Sequence, residues 1–190
     1  MQTETGKKGL LGRARRNPLV RIGFALGVAL IGFVVVVGGF TTAVEATNSV
    51  GFCTSCHSMS YNYEEYKESP HYSNRSGVRA GCSDCHVPKK NWFSEMYRKL
   101  IAAKDVWGEV VGTIDTREKF DAKRAEMAKR EWARMKESDS IGCRNCHSLE
   151  AMDLGEQDKL AQNKHAEAEG EGKTCIDCHK GVAHKLPRMH

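Results

Sequence analysis

All eight cysteines and four of the eight histidines in this chain fall into one repeated pattern. Cys53-Thr54-Ser55-Cys56-His57, Cys82-Ser83-Asp84-Cys85-His86, Cys143-Arg144-Asn145-Cys146-His147 and Cys175-Ile176-Asp177-Cys178-His179 each set two thiols three positions apart, with an imidazole directly after the second. Thiols at that spacing can add to the two vinyl groups of a porphyrin while the adjacent histidine turns to the iron, so the pattern reads as covalent attachment of four haems c. Zinc sites built from Cys-x-x-Cys knuckles, or disulfides, are the competing reading. Zinc has no need of a histidine after every second cysteine, and four such placements would arise by chance about once in several hundred thousand chains of this composition.

Four haems have eight axial positions, and His57, His86, His147 and His179 fill half of them. The other histidines are His71, His165, His184 and His190. His71 lies eleven residues before Cys82, His165 lies ten before Cys175, and His184 follows His179 by five. These three are distal-ligand candidates, whereas His190, the last residue, is expected to fray. Met59 is a candidate for the remaining position, because a thioether can ligate haem iron and raise its potential. Packing on a porphyrin face is its alternative role.

The elements that hold these groups are few. In 190 residues with 40% hydrophobic content there is room for one membrane segment and one small domain, and many of the apolar residues lie near the N-terminus. Four porphyrins would supply the missing core. Ile22 to Val44 is free of charge and as a helix would span about 35 Å, enough to cross a bilayer. Lys7, Lys8, Arg13, Arg15, Arg16 and Arg21 precede it and Glu45 follows, which places residues 1–21 in the cytoplasm and everything from about Glu45 outward. The net charge of +5 is thereby a topology signal rather than a nucleic-acid signature. A cleaved signal peptide ending near Val44-Glu45-Ala46 is the alternative, but the apolar run exceeds the roughly 7 to 15 residues of such segments. Covalent haem attachment through free thiols points to the periplasmic side of a bacterial inner membrane.

The expected fold is mainly α: residues 1–21, an anchor at 22–44, and a haem-packed domain at 45–190 with little or no sheet. Haem pairs at 51–90 and 141–187 flank a helical linker at 91–140. Matching histidine positions, and the echo of Cys53–Met59 in Cys143–Leu149, suggest a duplicated two-haem unit. Trp92 to about Val111 and Thr116 to about Glu137 are expected helices, the second opened by Asp115 with Glu118 as a capping box. Phe120, Met127, Ala128, Trp132 and Met135 share its apolar face. Glu167 to Lys173 is expected to be an exposed loop.

His71-Tyr72-Ser73-Asn74-Arg75-Ser76-Gly77-Val78-Arg79-Ala80, Cys82 to Pro88 and Cys175 to Pro187 resemble the NapC/NirT family of membrane-anchored tetrahaem quinol dehydrogenases, from the anchor to the C-terminus. The resemblance implies oxidation of membrane quinol, menaquinol or ubiquinol, and delivery of electrons to a periplasmic reductase. The closest branch is the one that serves nitrate reductase; nitrite or other periplasmic reductases are the alternative. In the branch serving cytochrome c nitrite reductase, the counterpart of Met59 ligates the first haem in place of the motif histidine. There an aspartate matching Asp105 covers the open face beside the quinol pocket, and a lysine in that pocket matches Arg98. Asp105 and Arg98, with the adjacent Lys99, are thus quinol-site candidates, and either His57 or Met59 serves the first haem. That branch lacks a histidine matching His165 and borrows a ligand from its partner, so His165 points to a transient donor. A further branch has a fifth haem in an added C-terminal domain, which is not expected here. A tethered electron shuttle without a quinol site is the reading from a different class, and a deprotonating carboxylate beside the first haem separates the two.

The pyridine haemochrome of the purified protein should give four haems c per chain; retained zinc with fewer than three haems would restore the knuckle reading.

Overall fold

The computed structural model describes residues 17–188. Lys7, Lys8, Arg13, Arg15 and Arg16 of the basic flank, and His190, lie outside the described residues. The chain divides into two units, the first ending at Thr47 and the second beginning at Asn48.

In the first unit α1, Pro18–Ala46, is a single helix of 29 residues, about 44 Å long. Asn17 caps it by accepting the Leu19 N–H at 3.0 Å, and Pro18 stands in the first turn where its missing N–H costs nothing. The helix exceeds the uncharged run at both ends, taking in Arg21 and Glu45, and none of its side chains is buried. It is long and apolar enough to cross a membrane, and it is the one such helix among the described residues.

The second unit is helical and has no strand among the described residues. In chain order it comprises α2 (Val50–Cys53), α3 (Met59–Lys67), α4 (Cys82–His86), α5 (Trp92–Val110), α6 (Arg117–Glu137), α7 (Ile141–Arg144), a 3₁₀ turn (Leu154–Glu156), α8 (Lys159–Gly170) and α9 (Cys175–Cys178). Four of the short helices carry attachment cysteines, both of the pair in α4 and α9 and the first of the pair in α2 and α7. The long pair α5 and α6 is the frame, joined by a turn in which Gly112 takes φ 72 and Thr113 donates back to Gly108 O at 2.8 Å. That left-handed position suits glycine.

Two local expectations are corrected. Thr116, not Asp115, caps α6, accepting the Lys119 N–H at 3.4 Å, while Asp115 takes the Lys119 ammonium at 2.8 Å. An extended backbone at Thr116 aims its hydroxyl at the helix end, and Asp115 stands one residue too early for that. The stretch from Glu167 is not a loop throughout: α8 continues to Gly170, and the chain turns only at Glu171 and Gly172. Alternating alanine and glutamate are strong helix formers, and Lys164 pairs with Glu167 at 2.7 Å one turn on, so propensity outweighs the glycines until both flank the break.

The protein's own core is small. Tyr66, Ile114, Phe120 and Ile176 are the buried apolar side chains among the described residues. Phe120, 1% exposed, opens the apolar face of α6 and meets the edge of Tyr61 from α3 at 5.5 Å between ring centres. Met127, Ala128, Trp132 and Met135 continue that face, half-buried. Tyr66 donates its hydroxyl to Ala80 O and reaches His71 O at 3.3 Å, closing the loop that carries His71.

Phe120→Ala should lower the unfolding free energy of the haem-loaded protein by about 3–5 kcal/mol in denaturant titration. Exposed Lys123→Ala on the same helix should stay within about 0.5 kcal/mol.

Candidate haem sites

Each motif begins in a short helical turn, and one capping device recurs. In the second motif Gly81 N–H donates to Asp84 Oδ2 at 2.7 Å, and in the fourth Thr174 N–H donates to Asp177 Oδ2 at 2.9 Å. The residue after the first cysteine, Ser83 or Ile176, is buried in both. The first motif is held differently. Ser49 caps α2 by accepting Phe52 N–H, and buried Ser58, between His57 and Met59, donates its N–H and Oγ–H to Glu109 of α5 at 3.3 and 2.5 Å.

The motifs pack in sequence order. The Cys53 and Cys82 thiols interact, which holds Cys53 down and pushes Cys82 up. Gly142, inside the third motif's helix, lies against the second: a Cβ there would stand 2.8 Å from Asp84 O and 2.9 Å from Cys85 O. The third and fourth meet through Cys143 and Cys175, and Ile176 N–H donates to the buried Ser140 Oγ at 3.1 Å. Ser140 holds a left-handed φ of 49 to do so. Burial, then the neighbouring Cys143, raises the Cys85 thiol to about 11.

The six histidines beyond the first motif stand in three facing pairs. His86 and His184 have ring centres 6.1 Å apart, His147 and His71 6.2 Å, and His179 and His165 5.9 Å. Two imidazoles ligating one metal ion from opposite sides, each through a bond of about 2 Å, have centres roughly 6 Å apart. His57 instead meets the edge of Tyr61 at 5.5 Å, with Met59 opening α3 two residues on. The pairs depart from the repeat: His71 and His165 hold matching sequence positions, yet His165 faces the motif that follows it and His71 faces the third motif rather than the second.

The surroundings of the pairs suit a porphyrin. Burial, followed by the charges of Arg98 and Arg134, pushes His86 down to about 4. Burial and His86 do the same to His184, so both imidazoles are neutral near neutral pH, the form that ligates. Arg98 Nη1, Arg134 Nε and Arg134 Nη1 are buried without a hydrogen-bond acceptor in the protein, donors of the kind that haem propionates would satisfy. By contrast, no group of three or more His, Cys, Asp and Glu among the described residues is arranged to hold a metal ion, as tetrahedral zinc would need.

His184 is seated by a clamp absent from the sequence reading. Arg124 binds both Glu65 oxygens, Arg124 Nη2 also donates to Lys185 O at 2.7 Å, and Lys185 N–H donates to Glu65 Oε2 at 2.9 Å. Burial alone would raise the Glu65 carboxyl, but these donors hold it below the ordinary glutamate range. His165 is oriented by Gln157 Oε1 at 2.7 Å from its Nδ1.

The three quinol-site candidates have different partners. Arg98 is turned inward, its Nε donating to His86 O at 2.8 Å and its Nη2 to Glu131 at 3.4 Å. Lys99 donates to Asn48 Oδ1 at 2.6 Å, near the start of the domain. Asp105 remains partly exposed, with one oxygen on Arg130. It lies one helical turn before Glu109, on the face of α5 that meets the first motif. Glu109, Glu131, Ser140 and the Glu65–Arg124 clamp were not singled out from sequence. Glu131 alone left a signal there, as a carboxylate at helical spacing between Met127 and Met135 on the apolar face.

The profile described as the NapC/NirT cytochrome c family, N-terminal region, matches residues 16–189. The chain is 54% identical over 184 residues to the denitrification system component NirT of Stutzerimonas stutzeri, covering 95% of this chain and 90% of that protein. It is 52% identical over 179 residues to the cytochrome c-type protein NapC of Paracoccus pantotrophus (93% and 75%). It is 48% identical over 188 residues to the NapC of Escherichia coli K12 (96% and 94%). No solved structure matches.

Gly142→Ala should force the second and third motifs apart and lower stability by about 1–3 kcal/mol, the range for overpacking. Gly170→Ala, whose Cβ would meet nothing within 4 Å, should not, and the denaturation midpoints of the two haem-loaded variants separate the effects.

Proposed function

This chain belongs to the NapC/NirT cytochrome c family, and from that membership we propose that it oxidises membrane quinol and passes the electrons to a periplasmic reductase. It is a tetrahaem electron-transfer cytochrome with four covalently attached haems c, and α1 fits a single-pass membrane anchor. The proposed orientation leaves the basic N-terminus in the cytoplasm and the haem domain in the periplasm, on the inner membrane. Bound through the eight cysteines, the haems supply one-electron transfer at potentials set by their axial ligands.

The proposed ligands are His86 with His184 for the second haem, His147 with His71 for the third and His179 with His165 for the fourth. The three imidazole separations near 6 Å support this set. The first haem then differs, with Met59 or His57 as its ligand and no second imidazole paired with the first motif among the described residues. That difference suits the point where quinol is oxidised, because a face without a second imidazole can admit substrate.

The observation that carries the quinol reading is the bond from Ser58 to Glu109, which brings the carboxylate face of α5 against the first motif. Quinol oxidation releases two protons with two electrons, and a general base must accept the protons. Glu109 is committed to Ser58. Asp105, one turn earlier, has one oxygen on Arg130 and is partly exposed, so its other oxygen is the proposed proton acceptor. Arg98, held by the His86 carbonyl and Glu131, acts in this account on the second haem site rather than on quinol. The electron acceptor is proposed to be nitrate reductase, from the NapC relatives. The 54%-identical relative described as a denitrification component favours a second reading, a nitrite reductase.

Asp105→Asn should keep four haems and their reduction by dithionite, yet slow reduction by menaquinol or ubiquinol analogues at least about tenfold. An undiminished rate would remove Asp105 and favour the tethered shuttle. Arg124→Ala should free the Lys185 backbone and turn part of one low-spin haem high-spin in the visible and EPR spectra. In the wild type the Glu65 carboxylate has a lowered folded-state pKa, so its support of His184 is complete above the ordinary glutamate range near about 4.3 and is lost as pH falls through that lower value. The same high-spin fraction should therefore grow on acidification.

A further inference from the structure

The second haem site has a carboxylate behind its motif histidine. His86 Nδ1–H donates to Glu131 Oε1 at 2.9 Å, which leaves Nε2 as the nitrogen that faces iron. Glu131 comes from the apolar face of α6 and its side chain is 15% exposed, so solvent screens it little. Its other oxygen takes Arg98 Nη2 at 3.4 Å and Arg134 Nη2, and both guanidinium groups are themselves largely enclosed, at 14% and 21%. Asp105 and Arg130 complete the charged groups around this cluster. A neutral contrast stands at the fourth site, where His165 Nδ1 meets the amide oxygen of Gln157 at 2.7 Å.

A carboxylate that accepts the far N–H of a ligating imidazole raises the basicity of that ligand and stabilises the higher charge on the metal. We infer that Glu131 is a positioning residue that fixes His86 and lowers the reduction potential of the second haem, while Arg98 and Arg134 oppose it and set the final value. The inference rests on the proposed pairing of His86 with His184. Its consequence for electron flow is that this cluster sets the potential of the step between the first haem and the third, whereas the fourth site has only a neutral amide at that position.

The two sides of the cluster give opposite tests. Glu131→Gln keeps a hydrogen-bond acceptor for His86 but removes the charge that opposes Arg98 and Arg134, so one haem should become easier to reduce. Arg134→Gln removes an opposing cation, so the same haem should become harder to reduce. Each change is expected to be at least tenfold in the reduced-to-oxidised ratio at fixed ambient potential, which is 59 mV for a one-electron couple. The measurement is a spectropotentiometric titration of the purified four-haem protein with EPR at each potential. The affected haem is identified as the one that turns high-spin when His184→Ala is added.

Opposite shifts confined to that haem support the inference. Shifts of the same sign in both variants would indicate loosened packing, and unchanged potentials an orienting role without charge; either overturns it. If His184→Ala leaves every haem low-spin, the axial pairing itself fails, and the inference fails with it for that separate reason.

Discussion

In the proposed ligation three of the four haem irons take imidazoles on two opposite faces, and for two of them the chain brings together histidines that are far apart in sequence. His71 and His147, and His86 and His184, come from opposite sides of the α5–α6 frame in sequence. With Tyr66, Ile114, Phe120 and Ile176 as the buried apolar side chains among the described residues, the polypeptide has little core of its own. Ligation and porphyrin burial therefore stand where a hydrophobic core stands in most domains of this size. Two of the three pairs would lose one member if either half of the domain were removed, so the halves are interdependent in a way that a simple tandem of two-haem units is not.

The contacts between motifs impose an order on the sites. Cys53 against Cys82, Gly142 against the Asp84 and Cys85 carbonyls, and Ile176 against Ser140 run from the first motif to the fourth without a gap. An electron path in sequence order is what we propose from that packing. The long helices contribute the charges: Glu109 at the first motif, and Arg98, Glu131 and Arg134 at the second. These groups lie on helices rather than loops, and a helix fixes a side chain more firmly than a loop does.

What could be read from the sequence was local. The four Cys-x-x-Cys-His runs, the uncharged stretch from Ile22 to Val44 and the two long helices depend on spacings of a few residues, and covalent chemistry or helical periodicity leaves such marks directly. Pairing of distal histidines is a long-range property, and the repeat does not carry it: the matching positions of His71 and His165 do not give matching partners. The cap at Thr116 and the helix through Gly170 turn on backbone direction and summed propensity, which neighbouring acidic and glycine residues obscured. Glu131 and Glu109 read as ordinary helix-surface charges until the fold set His86 and Ser58 beside them. Arg98 was expected in a quinol pocket from the resemblance, and its bonds to the His86 carbonyl and Glu131 could not be read from sequence.

The central claim is that three haems lie between paired imidazoles and the first does not. Near-infrared magnetic circular dichroism of the fully oxidised protein distinguishes bis-imidazole haems from other low-spin and from high-spin haems, and quantified against total haem it counts them. The account predicts three bis-imidazole haems per chain and one of another type. Four bis-imidazole haems, or fewer than three, would contradict it.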